Sequence, residues 1–293
     1  MTAKISYPGL KCIIEFLEVS PRFRMTCRSS DLQKIDNRIP LRVNSLKIWK
    51  NKVSLDDMSY CTDQSGLNEQ KRMKVDKSKE KLLRKYFEGR TNIHVNHVVF
   101  HETPVYRRIL VTLQLNVNKL EIPSSSFVDY LDNIDTNCLP LKNLILSLYE
   151  PFDVNHPVID SAQNVILRLI GHQDKLNGVE KLQREKLHIE NTGFEQVDVV
   201  GIIRNWMENG KKIGTKYLLS GDIVCIYNTF LGIEREFGDF TKTLEEVNEP
   251  ILDSLPQFSI PMSSTANILV YGTEKLVPRI VYRLVLRVVA VEE

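Results

Sequence analysis

Three histidines, His94, His97 and His101, stand close enough in the sequence to raise the question of metal ligation. A shared ion needs its imidazoles on one side of an element. Residues 92–100 have the pattern of a strand, and alternate side chains of a strand point to opposite faces. His94 and His97 are therefore expected on opposite faces, unable to share an ion without a bulge, and no metal site is expected. Residues 71–90 carry nine Lys or Arg against three acids, a density that could track a phosphate backbone. The apolar residues of that stretch, Leu82, Leu83, Tyr86 and Phe87, collect on one helical face, and no aromatics are interleaved for base stacking. A solvated helix face is expected there, and no nucleic-acid partner. The run from Asn209 through Gly210, Lys211, Lys212 and Gly214 to Thr215 resembles a phosphate loop only superficially. Asn205 stands where the first glycine is needed, Lys212 stands where Ser or Thr is needed, and the helix-then-strand order is reversed. A helix cap and a turn into a strand is the reading. No Gly-x-Ser-x-Gly is present and no Ser or Cys has a matched His nearby. The doublets Asp56-Asp57 and Glu245-Glu246 read as solvated charge. No catalytic residue and no cofactor is expected.

The elements that must position these residues alternate between strand and helix. Strands are expected at 39–49, 92–100, 109–122, 141–148, 164–170, 186–190 and 215–219, with a strand-like end over 258–291. Helices are expected at 77–88, 127–133, 199–209 and 222–237, with Gly89, Gly210 and Gly238 as C-terminal caps. Near the end of the chain Arg283 and Arg287 lie four residues apart, which predicts one wet and one buried strand face. Residues 54–76, polar and poor in aliphatics, read as a mobile loop or irregular hairpin. Short aliphatic cores recur (Leu46-Lys47-Ile48, Leu120-Glu121-Ile122, Leu144-Ile145-Leu146, Leu187-His188-Ile189). They leave two architectures open, a short irregular solenoid like a leucine-rich repeat and a compact mixed sheet. Either is an α+β (mixed α/β) protein.

Ahead of these elements, residues 7–36 are dense in helix signals. Leu10, Ile13, Ile14 and Leu17 fall at helical spacing after Pro8, an interruption is expected at Pro21, and a second short pattern holds Phe23, Met25 and Leu32. The piece is too small to bury a core of its own. Two parts are expected, a helical segment 1–38 and a mixed strand and helix domain 39–293.

The 293 residues carry a formal charge of only +2, which excludes a strong whole-molecule field toward nucleic acid or anionic membrane. A hydrophobic share of 42% with 26% charge belongs to a packed protein and not to a disordered one. No apolar run approaches the roughly 20 residues of a membrane span, and Glu15 and Glu18 break any signal-peptide core. Five scattered cysteines, odd in number and without a C-x-x-C, point to a reducing compartment, cytoplasm or nucleus.

The segment around Leu10, Ile13, Ile14, Phe16 and Leu17 resembles the first helix of an F-box, in degenerate form and without its usual tryptophan. The phrases at 6–12, 32–41, 89–95, 139–142, 211–215 and 258–261 extend the likeness over most of the chain, to the nematode F-box C family. That resemblance implies a non-catalytic substrate-recognition subunit of a Skp1–cullin ubiquitin ligase. Its partners would be a Skp1-type adaptor and an unknown protein substrate, with docking through Pro8, Leu10, Ile13, Ile14, Leu17 and Phe23. The alternative left open by the residues is a stand-alone protein- or ligand-binding module, in which the same apolar side chains cover the chain's own domain; an enzyme without recognisable motifs is the third reading.

Overall fold

Two units make up the chain, Met1–Leu141 and Lys142–Glu293. The computed structural model describes residues 6–49, 52–61, 84, 86–90, 92–101, 114–131, 134–149, 152–170, 176, 178–192, 197–242, 244, 249–277 and 279–291. The expectations for 62–76, for most of the basic stretch, for 109–113 and 132–133, and for Glu245-Glu246 lie outside the described residues.

In the first unit, Ser6 caps α1 (Tyr7–Phe16) by accepting from the Gly9 N–H, and Pro8 occupies the first turn. The helix ends at Leu17, ahead of the expected break. Pro21 lies inside the first turn of α2 (Val19–Thr26), where its missing N–H would have had no helical partner. Ser29 caps α3 (Ser30–Asn37) through the Leu32 N–H. These helices belong to the same unit as the strands that follow. The strands are β1 (Leu41–Ile48), β2 (Lys52–Leu55), β3 (Met58–Cys61), β4 (Ile93–Phe100) and β5 (Leu115–Pro123), in the order β5-β4-β1-β2-β3. β5, β4 and β1 run parallel, and β2 and β3 form an antiparallel hairpin. Thus the first part of 54–76 is a regular hairpin. Its turn residue Asp56 has φ +49°, and the carboxylate accepts from the Ser45 N–H at 2.6 Å. Asp56 is not solvated charge: burial raises its carboxyl above the ordinary value, against that backbone donor. Helical residues Arg84, Tyr86 and Phe87 end at Gly89, whose φ of +77° is the left-handed cap expected there. After β5 comes α4 (Phe127–Leu131).

All three parallel strands of this unit step out of phase at the same level. Core residues are Leu41, Val43 and Leu46 on β1, Ile93, Val95 and Val98 on β4, and Leu115, Val117 and Leu120 on β5. The spacing slips from two to three where Asn44, Asn96 and Asn118 stand exposed, and their side-chain amides form a ladder at 3.2 and 3.3 Å. The extra residue in each strand keeps both aliphatic ends in the core.

In the second unit the strands are β6 (Asn143–Leu148), β7 (Asn164–Leu169), β8 (Lys186–Thr192), β9 (Lys216–Gly221), β10 (Phe258–Ser263), β11 (Ala266–Val277) and β12 (Arg279–Ala290). Their order is β6-β7-β8-β9-β12-β11-β10. β6 to β9 are parallel and stacked in chain order, with Asn164 beside Asn143 and Glu190 beside Arg168 at offsets of 21 and 22 residues. This is the repeat-like part of the mixed sheet; the antiparallel meander β10 to β12 continues it. Short α5 (Pro157–Ser161) and the longer α6 (Val199–Asn209) and α7 (Ile223–Phe237) complete the unit. Asp198 caps α6 and Asp222 caps α7, each accepting from the N–H three residues on. Ile202, Ile203, Trp206, Ile226, Phe230 and Ile233 bury the inner faces of these two helices. Gly210 follows α6 with φ +73°, and Lys212 and Gly214 continue as the expected turn into β9. Gly238, expected to be left-handed, is right-handed at φ −59° because α7 runs on into a 3-10 turn. β12 has no wet face: Leu284, Val285, Leu286 and Val288 are all buried and the two arginines are half-buried, as befits a strand flanked on both edges.

Candidate functional site

The six residues of the expected docking set are divided by the fold. Ile14 is fully buried and Phe23 is 3% exposed, while Leu10 and Leu17 are half-buried. Pro8 is exposed and Ile13 is 44% exposed. Phe16, 83% exposed, extends the outward apolar strip of α1 with Ile13 and Cys12, and Tyr7 stands exposed at its start. Residues 12, 13 and 16 share a side of a 3.6-residue helix, with residue 14 turned away. α1 therefore holds to its own unit by one apolar face and leaves another uncovered. The aliphatic spacing fitted both faces equally, which is why it could not separate the anchor from the free side chains.

What fixes this segment is a buried ionic clamp that the sequence reading missed. Arg22 on α2 donates through Nε to Asp36 Oδ1 at 2.6 Å, and through its Nη atoms to the carbonyls of Ile39 and Pro40. Arg90, just past the Gly89 cap, bonds the other Asp36 oxygen, the Asp36 carbonyl and, at 2.8 Å, the Tyr86 carbonyl. All three side chains are 1–2% exposed. Burial lowers the Arg90 guanidinium from its ordinary value and Asp36 opposes the shift. Phe23 stacks on Tyr86 at 4.2 Å, with Arg90 over the Phe23 ring. The two cations share one carboxylate, one on each oxygen, and use further N–H groups on backbone carbonyls at and after the end of α3. The signal available beforehand was an arginine beside the inward-facing Phe23. Arg90 also ceases to be a free cation of the basic stretch. Beside the clamp a cavity of about 410 Å³ is lined by Ser20, Phe23, Arg24, Cys27, Met58 and Tyr86, among others.

On the second unit, β7, β8 and β9 present a half-buried polar network. His188 Nε2 lies 2.7 Å from Ser220 Oγ, Glu190 lies 3.7 Å from His188 Nδ1, and Arg168 Nε donates to Glu190 at 3.1 Å. The order serine, histidine, carboxylate is that of a hydrolytic relay. Ser220, however, is 4% exposed and sits within a strand paired on both sides, and the carboxylate is beyond hydrogen-bond distance of the imidazole. A substrate carbonyl has no approach to that hydroxyl, and the network serves to neutralise Arg168 and hold neighbouring strands. These residues lie far apart in the sequence, and only the alternation of His188 and Glu190 within β8 hinted at a polar face.

The histidine triplet is also rearranged. The step at Asn96 leaves Val95 and Val98 in the core and brings His94 and His97 both to half-buried positions, so strict alternation fails there. His97 Nε2 is 3.6 Å from Glu121, and burial with Lys119 and Lys47 lowers its pKa. His101 stacks on Trp49 at 4.7 Å. Among the described residues no three His, Cys, Asp or Glu side chains form a group that could hold a metal. Cys12, Cys27, Cys138 and Cys225 are free thiols. Among the same residues no helix is long and apolar enough to cross a membrane.

A family model described as a domain of unknown function (DUF3557) matches residues 74–222, half of the chain. No curated protein and no solved structure matches it.

Proposed function

The chain belongs to the DUF3557 family, and from that premise we propose that it is a non-catalytic recognition subunit, docked through α1 onto a Skp1-type adaptor of a ubiquitin ligase and presenting the family domain to a protein target. The observation that carries the reading is the uncovered apolar strip of Ile13 and Phe16 on a helix whose opposite side is anchored by Ile14. An exposed aromatic next to an exposed aliphatic on a rigid helix face is what helix-in-groove recognition uses. The F-box-like spacing of Leu10, Ile13, Ile14, Phe16 and Leu17 supports an adaptor of that type, and the clamp supplies the rigidity. The family match begins after the helical segment, which agrees with a division between docking and recognition. Free thiols at Cys12 and Cys27 suit a reducing compartment, cytoplasm or nucleus. A stand-alone binding module is the second reading, favoured by the burial of Ile14 and Phe23 in the chain's own unit.

Purified Skp1 and the purified full chain test the choice. The parent should retain Skp1, and Phe16→Asp should abolish retention while leaving the thermal midpoint within the range of a surface substitution. No retention by the parent, or equal retention by Phe16→Asp, overturns the docking reading.

A further inference from the structure

Ser20, Phe23, Arg24 and Cys27 follow one another at steps of three and four along α2 and its end, and so share one side of the helix. They form one wall of the cavity of about 410 Å³, a volume in the range of ligand sites, and Met58 and Ser59 of β3 form the other. Ser20 and Phe23, 4% and 3% exposed, lie at its base, where Phe23 stacks on Tyr86. The rim is open to solvent, since Arg24, Asp57 and Ser59 are all exposed.

β3 ends the strand order of the first unit, and among the described residues it pairs with β2 alone. Leu55 and Met58 flank a two-residue turn, so their backbone groups face each other. The alternation of an antiparallel pair then turns the N–H and C=O of Ser59 outward, away from β2. Proteins blunt such edges with charge, proline or bulges. β10, which ends the order in the second unit, has Pro261 with a register shift beside it, and its first residue is bridged to Thr241. β3, with the sequence Met-Ser-Tyr-Cys, carries no charge and no proline and holds an unbroken register.

We infer that the groove between α2 and β3 receives an extended segment of a protein target, which adds as a further strand beside β3, seats an apolar side chain against Phe23, Tyr86 and Met58, and directs a carboxylate to Arg24. Ser59 both lines the groove and turns its backbone groups outward, so a polypeptide in the groove meets the donor and acceptor that strand addition uses. The rim charges are opposite in sign, and they fix where the acid lies: toward the Arg24 guanidinium and away from Asp57 at the turn. A phosphate backbone has no N–H groups to pair with an edge strand, and a small anion at Arg24 would leave the aromatic base uncovered. The assignment rests on the recognition reading for the segment belonging to a target, and it involves no residue of α1.

The probe is a mixture of eight-residue peptides with leucine and glutamate fixed two positions apart, the spacing of one strand face, in either order and with all other positions degenerate. Fluorescence anisotropy against the full chain should show one order binding at least about threefold more tightly than its counterpart with lysine in place of glutamate, the size of a solvent-exposed charge contact. Arg24→Glu, at an exposed position, should erase that preference. Strand addition is read from N-methylation of alternate peptide amides: methylating the set that faces β3 should abolish binding, and methylating the other set should leave it within about threefold. Ser59→Pro deletes an outward N–H and spares the pairing with β2, and should weaken binding at least about tenfold. The methylated peptides decide the matter should that variant fail to fold. No binding by any mixture, equal loss from the two methylation sets, or an unchanged preference in Arg24→Glu would overturn the assignment. A dimer of the free chain that Ser59→Pro converts to monomer would overturn it too, by giving the edge to a second copy. Skp1 retention is expected to be unchanged in Arg24→Glu and Ser59→Pro, so failure here and failure of adaptor docking are separable.

Discussion

Asp36 in the first unit receives two guanidinium groups, whereas Arg283 Nε in the second finds no hydrogen-bond partner among the described residues. Both places bury an arginine nitrogen, yet in the first the guanidinium groups are bonded to a carboxylate and in the second Nε is not bonded among the described residues. The contrast teaches that pairing, not residue type, decides which buried arginine ties elements together. A self-satisfied ion cluster orients α2, α3 and the chain after Gly89, and it has nothing left to offer a ligand.

The comparison breaks most visibly at Asp36. Asp36→Asn would leave Arg22 and Arg90 buried with no countercharge, and the expected loss is about 3–5 kcal/mol of unfolding free energy. Urea titration at neutral pH should show it as a lower midpoint with an unchanged slope. A loss below about 1 kcal/mol would mean that the carbonyl bonds of the two arginines, and not the carboxylate, hold the clamp.

The same contrast is repeated within α1 on a smaller scale. Ile14→Ala removes a fully buried side chain and should cost about 2–5 kcal/mol. Phe16→Ala, two residues on, should change stability by no more than about 0.5 kcal/mol. Thermal midpoints of the two variants sharpen the division between anchor and free face. Similar losses for both would place Phe16 in the core of the unit and remove the strip on which adaptor docking depends.

Regular elements were legible in the sequence because their signals are local. Gly89 and Gly210 mark helix ends through backbone chemistry that needs no distant partner, and strand placement followed from two-residue alternation. The candidate sites were not legible, for a common reason. Arg22, Asp36 and Arg90 meet across 14 and 54 residues, and His188 meets Ser220 across 32, so no spacing rule reaches them. The outward and inward sides of α1 carry the same residue types, so only packing tells Ile13 from Ile14. Arg283 and Arg287 were expected to be wet because an isolated strand has two faces to share out; inside a sheet the neighbouring strands on both edges leave them half-buried.

The smallest effect concerns His97, which was set aside as a metal ligand and is half-buried between charges of both signs. Burial, with Lys119 and Lys47, holds its pKa below the ordinary 6.5, and Glu121 only partly opposes them. As pH falls through 6.5 the unfolded chain takes up a proton that the folded chain still refuses, so the native state loses stability over the window from 6.5 down to the lowered folded value. Asp56 acts in a different window and with the opposite sign. Its raised folded pKa means that the native carboxyl binds its proton first, so stability is gained as pH falls toward the ordinary 3.8. Urea midpoints compared between about pH 7 and about pH 5.5 therefore isolate the histidine. His97→Asn should show a shallower fall across that interval than the parent, by a margin that stays small because the imidazole is partly solvated. An identical fall in both proteins would assign the dependence to another group and leave His97 as a spectator on the polar side of the asparagine ladder.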